Sequence, residues 1–528
     1  MRPETICLPS SRIATRVHLS YTSRSSAAIT SLYAAATLLN STLACGCGSE
    51  SPSPQVAAPL TAPDAGADAS GDSGDAAPET GVDAAPDAVP LAGYPAVHAT
   101  LPRVETFGGP VLRAPNVIPV FFSDDSLQPQ IEQFLSQLEG SSYWTATTGE
   151  YGVGALRVAS SVVVTDAPPP SIGSADVASW LAGYLGAGQA GWPPIDDNNI
   201  YVVFYPRATS ISVPNGMTSC KDFGGFHSEG FAGRGTQGAA DGGAQPVEAG
   251  DETQMDASEG GASDADAISA ADGAYSDVTT DDAESAVAVA VGPRFVFAVI
   301  PRCTSFNSLS GIDDVTGAAS HELVEAATDP FTVTDPAYSH VDYDHLAWDA
   351  YLGGSELADM CMSETVDRLN RPLVGDFMVQ RTWSNRAAEL GQDPCVPGIA
   401  DVYINGAPDF DDAVVVPNPG SKNFPNLVTM GAYVPVAESR TIDVRLFSTA
   451  PTPDWSVRAE ELIAPEASAT LKFSWDKLSG NNGDVFKLTI TRTATGPDGG
   501  SAIFLQSYRT SADRRTVSGN LWAGLITE

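Results

Sequence analysis

Basic residues are scarce in this chain. Its 528 residues hold 27 Lys and Arg against 65 Asp and Glu, a formal net charge of −38. No Lys or Arg occurs from Ser25 to Pro102 or from residue 237 to 285. Nucleic acid is a poor partner class on that ground, since phosphate binding needs concentrated cations. No CxxC pair occurs, which argues against a four-cysteine zinc site. A clear membrane-spanning run is missing too. The most apolar stretch, "AAITSLYAAATLLNSTLAC", is too short and too rich in hydroxyls to cross a bilayer.

What is there begins with acid. Glu50, Asp64, Asp68, Asp72, Asp75, Glu79, Asp83 and Asp87 recur among Ala, Gly, Pro and Ser. The stretch 237–285 carries thirteen acids of its own. Both read as solvated, self-repelling linkers with too few large apolar groups to offset the entropy of ordering. The amino terminus reads as an export leader over 1–47: Arg12, Arg16 and Arg24 precede the apolar run, which ends at Ala44-Cys45 and enters the acidic linker of 48–94. That order resembles a bacterial lipoprotein with Cys45 acylated, and a lipid anchor there is the one membrane contact expected. Thr42 stands where such signals carry Leu, so free secretion with cleavage near Ala44 is the alternative. Beyond the leader, Cys220, Cys303, Cys361 and Cys395 form an even set suited to two disulfides in an oxidising compartment. Three pairings are open; 220 with 303 and 361 with 395 would each close one side of the motif region.

The chain is long enough for two packed domains. "NVIPVFF", "ALRVASSVVVTD", "NNIYVVFYP" and "RFVFAVIP" read as strands, and "LQPQIEQFLSQLEG" and "ADVASWLAGYLG" as amphipathic helices between them. Strand and helix alternate, so 95–397 reads as a mixed-sheet α/β domain interrupted by the acidic insertion 237–285. After Pro397 short alternating segments separated by "SGNNGD" and "TGPDGG" predict a small antiparallel β-sandwich over 398–528.

The chemistry gathers at "AASHELVEAATDP", residues 318–330, one side chain away from the zinc-binding HExxH signature. "DDVTGAASHELVEAATDP" predicts one helix, opened by Asp313 and Asp314 and ended at Pro330. On it His321 and Glu325 share a face at i, i+4, close enough to share a metal. Glu322 points about a hundred degrees away, where HExxH enzymes keep the general base. "GGSELADMC" supplies further carboxylates. By analogy with thermolysin-like zinc peptidases, Glu356 would be the third ligand and Asp359 the partner that orients His321, or the two exchange roles. Asp329 is a weaker ligand candidate. His227 of "GFHS" reads as an oxyanion donor, a fourth ligand or a structural His. His340, Tyr343 and His345 are further candidates for the oxyanion task, and Trp348 and Trp383 read as core or cleft-wall aromatics. Glu325 in place of histidine makes the ion a poorer Lewis acid and opens the site to harder divalent metals than Zn2+. A solvated acidic helix with one His is the plain alternative, because an HExxE pattern arises by chance at about the few-per-cent level.

"GGPVL", "YW" followed by "EYGVG", "GFHS", "FAVIPRC", "SHELVEAATDP", "ELADMC" and "VQRTWSN" occur in an order that resembles the EXORDIUM, or phosphate-induced protein 1, family. The likeness spans roughly 108–397. It implies an extracellular protein with a zincin-like HExx[EH] helix, and it brings no assigned reaction. Two functions stand on these residues. One is an exported, monomeric, metal-dependent peptidase-like hydrolase acting on extracellular protein or peptide, with His321, Glu325 and Glu356 on Zn2+ or another divalent ion and Glu322 as base. The other is a non-catalytic surface or wall-associated protein that binds a cell-wall component and keeps the fold.

Overall fold

The structure, a computed structural model, describes residues 93–214, 216–233, 292–306, 309–352, 356–366, 371–398, 401–417, 426–462, 468–496, 500–510 and 516–527. The leader with Cys45, nearly all of the 48–94 linker and the whole 237–285 insertion lie outside the described residues.

A mixed sheet organises the first part. Its strands are β1 (Asn116–Phe122), β2 (Arg157–Val158), β3 (Val162–Val164), β4 (Asn199–Tyr205), β5 (Phe226–Phe231) and β6 (Arg294–Pro301). The order is β2–β1–β4–β6–β5, with β3 also pairing β1. Pairing is parallel up to β6, and β5 runs antiparallel to β6 on the edge. The single strand expected in "ALRVASSVVVTD" is split into β2 and β3. Between them Ser161 turns its hydroxyl to Glu132.

Helices cover both faces: α1 (Gln128–Leu138), α2 (Ser142–Thr148) and α4 (Ile312–Thr328) on one side, α3 (Ser174–Gly186) on the other. The inner strands are therefore apolar at successive positions rather than alternate ones. Val117, Phe121, Val202 and Ala298 join the core of α1 and α4, whereas Ile118, Val120, Val203 and Phe297 join that of Val177, Leu181 and Leu185 on α3.

The carboxyl-terminal part holds two sheets. One orders strands 404–408, 439–448, 485–492 and 471–475, all antiparallel. The other orders 412–417, 426–433, 516–527, 500–510 and 456–461. It departs from the expected antiparallel pattern at one pair, Gly431–Tyr433 beside Leu525–Thr527, which is parallel. Side chains of both sheets share one core that continues to the α4 side of the first sheet. Trp522, Trp348 and Trp383 bridge the parts, with ring centroids 6.0 and 5.6 Å apart. The disulfides are Cys220–Cys303 and Cys361–Cys395.

Candidate metal centre

Helix α4 carries the centre. Gly311 precedes it at φ 65°, a left-handed conformation that suits glycine, and Asp313 and Asp314 face the positive end of the helix dipole. Nearly every residue from Asp314 to Thr328 is buried. The apolar ones, including Leu323, Val324, Ala326 and Ala327, meet the sheet and α1, and so His321, Glu322 and Glu325 are buried with them. A buried ionisable group is costly unless paired, so each needs a partner.

Glu325 has half of one. Its Oε1 accepts the backbone N–H groups of Ala358 and Asp359, both at 3.1 Å. Its Oε2 lies 3.0 Å from His321 Nε2, close but misaligned for a hydrogen bond, and 3.8 Å from His227 Nδ1. Burial works to raise the Glu325 pKa, and the two imidazoles outweigh it and hold it low.

His227 reaches the centre from the edge strand β5, its side chain 3% exposed. Nδ1 lies 3.4 Å from Glu322 Oε2 and Nε2 3.5 Å from Glu356 Oε1. Gly225 permits this approach, because a Cβ there would stand 2.8 Å from Glu322 Oε1. Burial lowers the pKa of both histidines, yet the carboxylates raise it well above the ordinary value, Glu356 foremost for His227 and Glu325 for His321.

Glu356 and Asp359 do not share a regular α-helix; Glu356 precedes a 3-10 segment, Asp359–Val366. Both are buried at the centre nonetheless. Asp359 Oδ1 lies 3.5 Å from His321 Nε2, the nitrogen that also faces Glu325. An orienting carboxylate of the thermolysin type would stand behind the ring on the other nitrogen, so Asp359 sits on the ligand side instead. Asp329 accepts Ala337 N–H through Oδ1 at 2.6 Å, and its Oδ2 is buried without a hydrogen bond. Burial drives the pKa of Asp329 up, and that of Glu356 well above the usual carboxylate range, against the pull of His227.

Two trios bring ligand atoms within 4.8 Å of one another: His227, Glu325 and Glu356, and His321, Glu322 and Glu325. The expected trio of His321, Glu325 and Glu356 is divided between them, with Glu325 common to both. His227 Nε2, His321 Nε2, Glu325 Oε2 and Glu356 Oε1 are buried with no hydrogen-bond partner. Lone pairs turned inward without donors fit a cation, and mixed imidazole and carboxylate donors fit a divalent first-row ion.

Other candidates lie elsewhere. His340 stacks on Phe107 at 4.1 Å, Tyr343 is half exposed, and His345 pairs with Asp342 at 2.6 Å. None belongs to either trio. Trp348 and Trp383 are core residues. Sequence reasoning missed Glu229, two residues along β5 from His227 and on the same strand face. Its carboxylate accepts Val333 N–H, Thr334 N–H and the Thr334 hydroxyl, tying the edge strand to the loop after α4. The i, i+2 spacing was the available signal.

A cleft of about 910 Å3 opens over the centre. His227, Asp329 and Glu356 line it together with the small residues Ala175, Ala178 and Ala182 of α3.

No family model matches the chain, and no curated protein matches it. Among solved structures, the crystal structure of the FixG-related protein from Vibrio parahaemolyticus aligns over 25% of this chain and 98% of that one, at 5% identity and a TM-score of 0.15. A likeness that slight carries no argument about fold or function.

Proposed function

We propose that the protein is an exported, metal-dependent hydrolase of peptidase type, with a zincin-like arrangement of active helix and edge strand. The observation that carries this reading is the set of buried imidazole and carboxylate atoms without hydrogen-bond partners, of which those of His227, Asp329 and Glu356 line a cleft of about 910 Å3. His321, Glu325 and Glu356 would hold the ion, with His227 as a further ligand. A divalent ion there supplies Lewis acidity to a substrate carbonyl. Glu322, 3% exposed and fixed against His227 Nδ1, takes a proton from the attacking water and returns it to the leaving amine. The outer edge of β5, unpaired among the described residues, offers backbone groups to an extended polypeptide, and the small side chains of α3 leave room for it. The two disulfides are compatible with an extracellular protein.

A second reading, a non-catalytic wall-associated protein of EXORDIUM type, draws on Glu325. Carboxylates in place of a third imidazole cancel the ion's charge and weaken it as a Lewis acid. Incubating the metal-loaded protein with a peptide library decides between the two. A hydrolase cleaves peptides in a manner abolished by Glu322→Gln with bound metal retained; a metal-loaded wild type that cleaves none is a binding protein.

A further inference from the structure

The centre holds more negative charge than one divalent ion neutralises. Among the described residues, no ion pair joins Glu322, Glu325, Asp329 or Glu356 to a Lys or Arg, and the close ionic neighbours of the glutamates are His227 and His321. In the ligating form, with the carboxylates ionised and the imidazoles neutral, one divalent ion against these four carboxylates leaves two charges uncompensated among side chains that are all nearly inaccessible, which burial penalises heavily. A second ion cancels the charge of these four.

The distances agree. Two donors each about 2.1 Å from one tetrahedral ion stand about 3.4 Å apart. His321 Nε2 lies 3.0 Å from Glu325 Oε2 and 3.5 Å from Asp359 Oδ1, whereas His227 Nε2 lies 3.5 Å from Glu356 Oε1. The two imidazoles belong to separate trios, His321 with Glu322 and Glu325 and His227 with Glu325 and Glu356, that meet only at Glu325, and Asp359 lies beside the first. His227 Nδ1 faces Glu322 Oε2 at 3.4 Å, so that contact fixes the ring and leaves Nε2 as its lone-pair side.

We propose that the centre takes two divalent first-row ions bridged by Glu325. His321 holds one, with Asp359 beside it; His227 and Glu356 hold the other, flanked by Asp329. Glu322 positions His227 and binds neither ion. This rests on the metal-centre reading above and replaces its single ion with a pair.

The test strips the full exported protein with a chelator, reloads it with Mn2+ or with Zn2+, and counts ions by mass spectrometry. Two per chain are expected, with an exchange-coupled paramagnetic resonance spectrum in the Mn2+ form. His227→Ala, Glu356→Gln and His321→Ala should each leave one ion and an uncoupled spectrum, and Glu322→Gln should keep two. One ion in wild type, lost equally in His227→Ala and His321→Ala, overturns the pair and leaves the single-ion centre standing. No ion at all overturns the metal centre itself. The wild-type count decides even where a variant fails to fold.

Discussion

Buried carboxylates occur in both halves of the molecule, and their partners differ. Glu461, in the carboxyl-terminal sheets, accepts Thr470 N–H and Leu471 N–H through one oxygen and the Thr470 hydroxyl through the other. Glu229 on β5 is saturated in the same way. Glu325 uses one oxygen on backbone donors and turns the other toward imidazoles that do not bond it. A carboxylate with both oxygens met by donors of the chain stabilises the chain. One with a buried oxygen left over, in company with other such groups, is built for something the chain does not supply.

The difference predicts opposite consequences of mutation. Glu461→Ala strands two backbone donors, Thr470 N–H and Leu471 N–H, and leaves the Thr470 hydroxyl with Ser501 alone, so it should cost about 3–5 kcal/mol in denaturant unfolding, with ion content unchanged. Equal loss of bound metal would erase the distinction between the halves.

Asp314 tests burial without a ligand role. Burial raises its pKa from 3.8 to about 7, against the backbone hydrogen bond from Cys303. Folding therefore favours the neutral acid: the penalty is absent below pH 3.8, grows between 3.8 and about 7, and is complete above. Asp314→Asn should gain up to about 4 kcal/mol above pH 7 and flatten the pH dependence of stability across that window. An unchanged pH profile would show that the carboxyl is solvated in the folded state.

Gly225→Ala places a methyl against Glu322 and should cost about 1–3 kcal/mol, most of it recovered in the double variant with Glu322→Ala. Additive costs would mean that the close approach of β5 to α4 is not what the glycine serves. His340→Ala, outside both trios, should cost about 0.5–1.5 kcal/mol through its lost stacking on Phe107 and leave ion content unaltered; a loss of metal would enlarge the centre.

Much of this was legible along the chain. The i, i+4 spacing of His321 and Glu325 set both on one helix face, and the apolar run of "NVIPVFF" marked a strand buried on both sides. The convergence of His227 with Glu356 was not, because it depends on which strand ends at the sheet edge and on how the chain returns after α4, both fixed by tertiary packing. The same holds for Asp359, whose 3-10 turn places it on the ligand side of His321. The parallel pair within the second carboxyl-terminal sheet is likewise invisible to alternation, which reports faces and not strand direction.

The most direct measurement is the unfolding free energy of the exported protein with excess divalent ion and again after exhaustive chelation. An ion that binds only the folded chain at 100 times its Kd should stabilise it by about 2.7 kcal/mol per site, and His321→Ala should remove part of that gain. Identical unfolding curves in ion and chelator, with no metal carried by the wild-type protein, would contradict a metal centre and leave the buried cluster to be explained by protonated carboxyls alone.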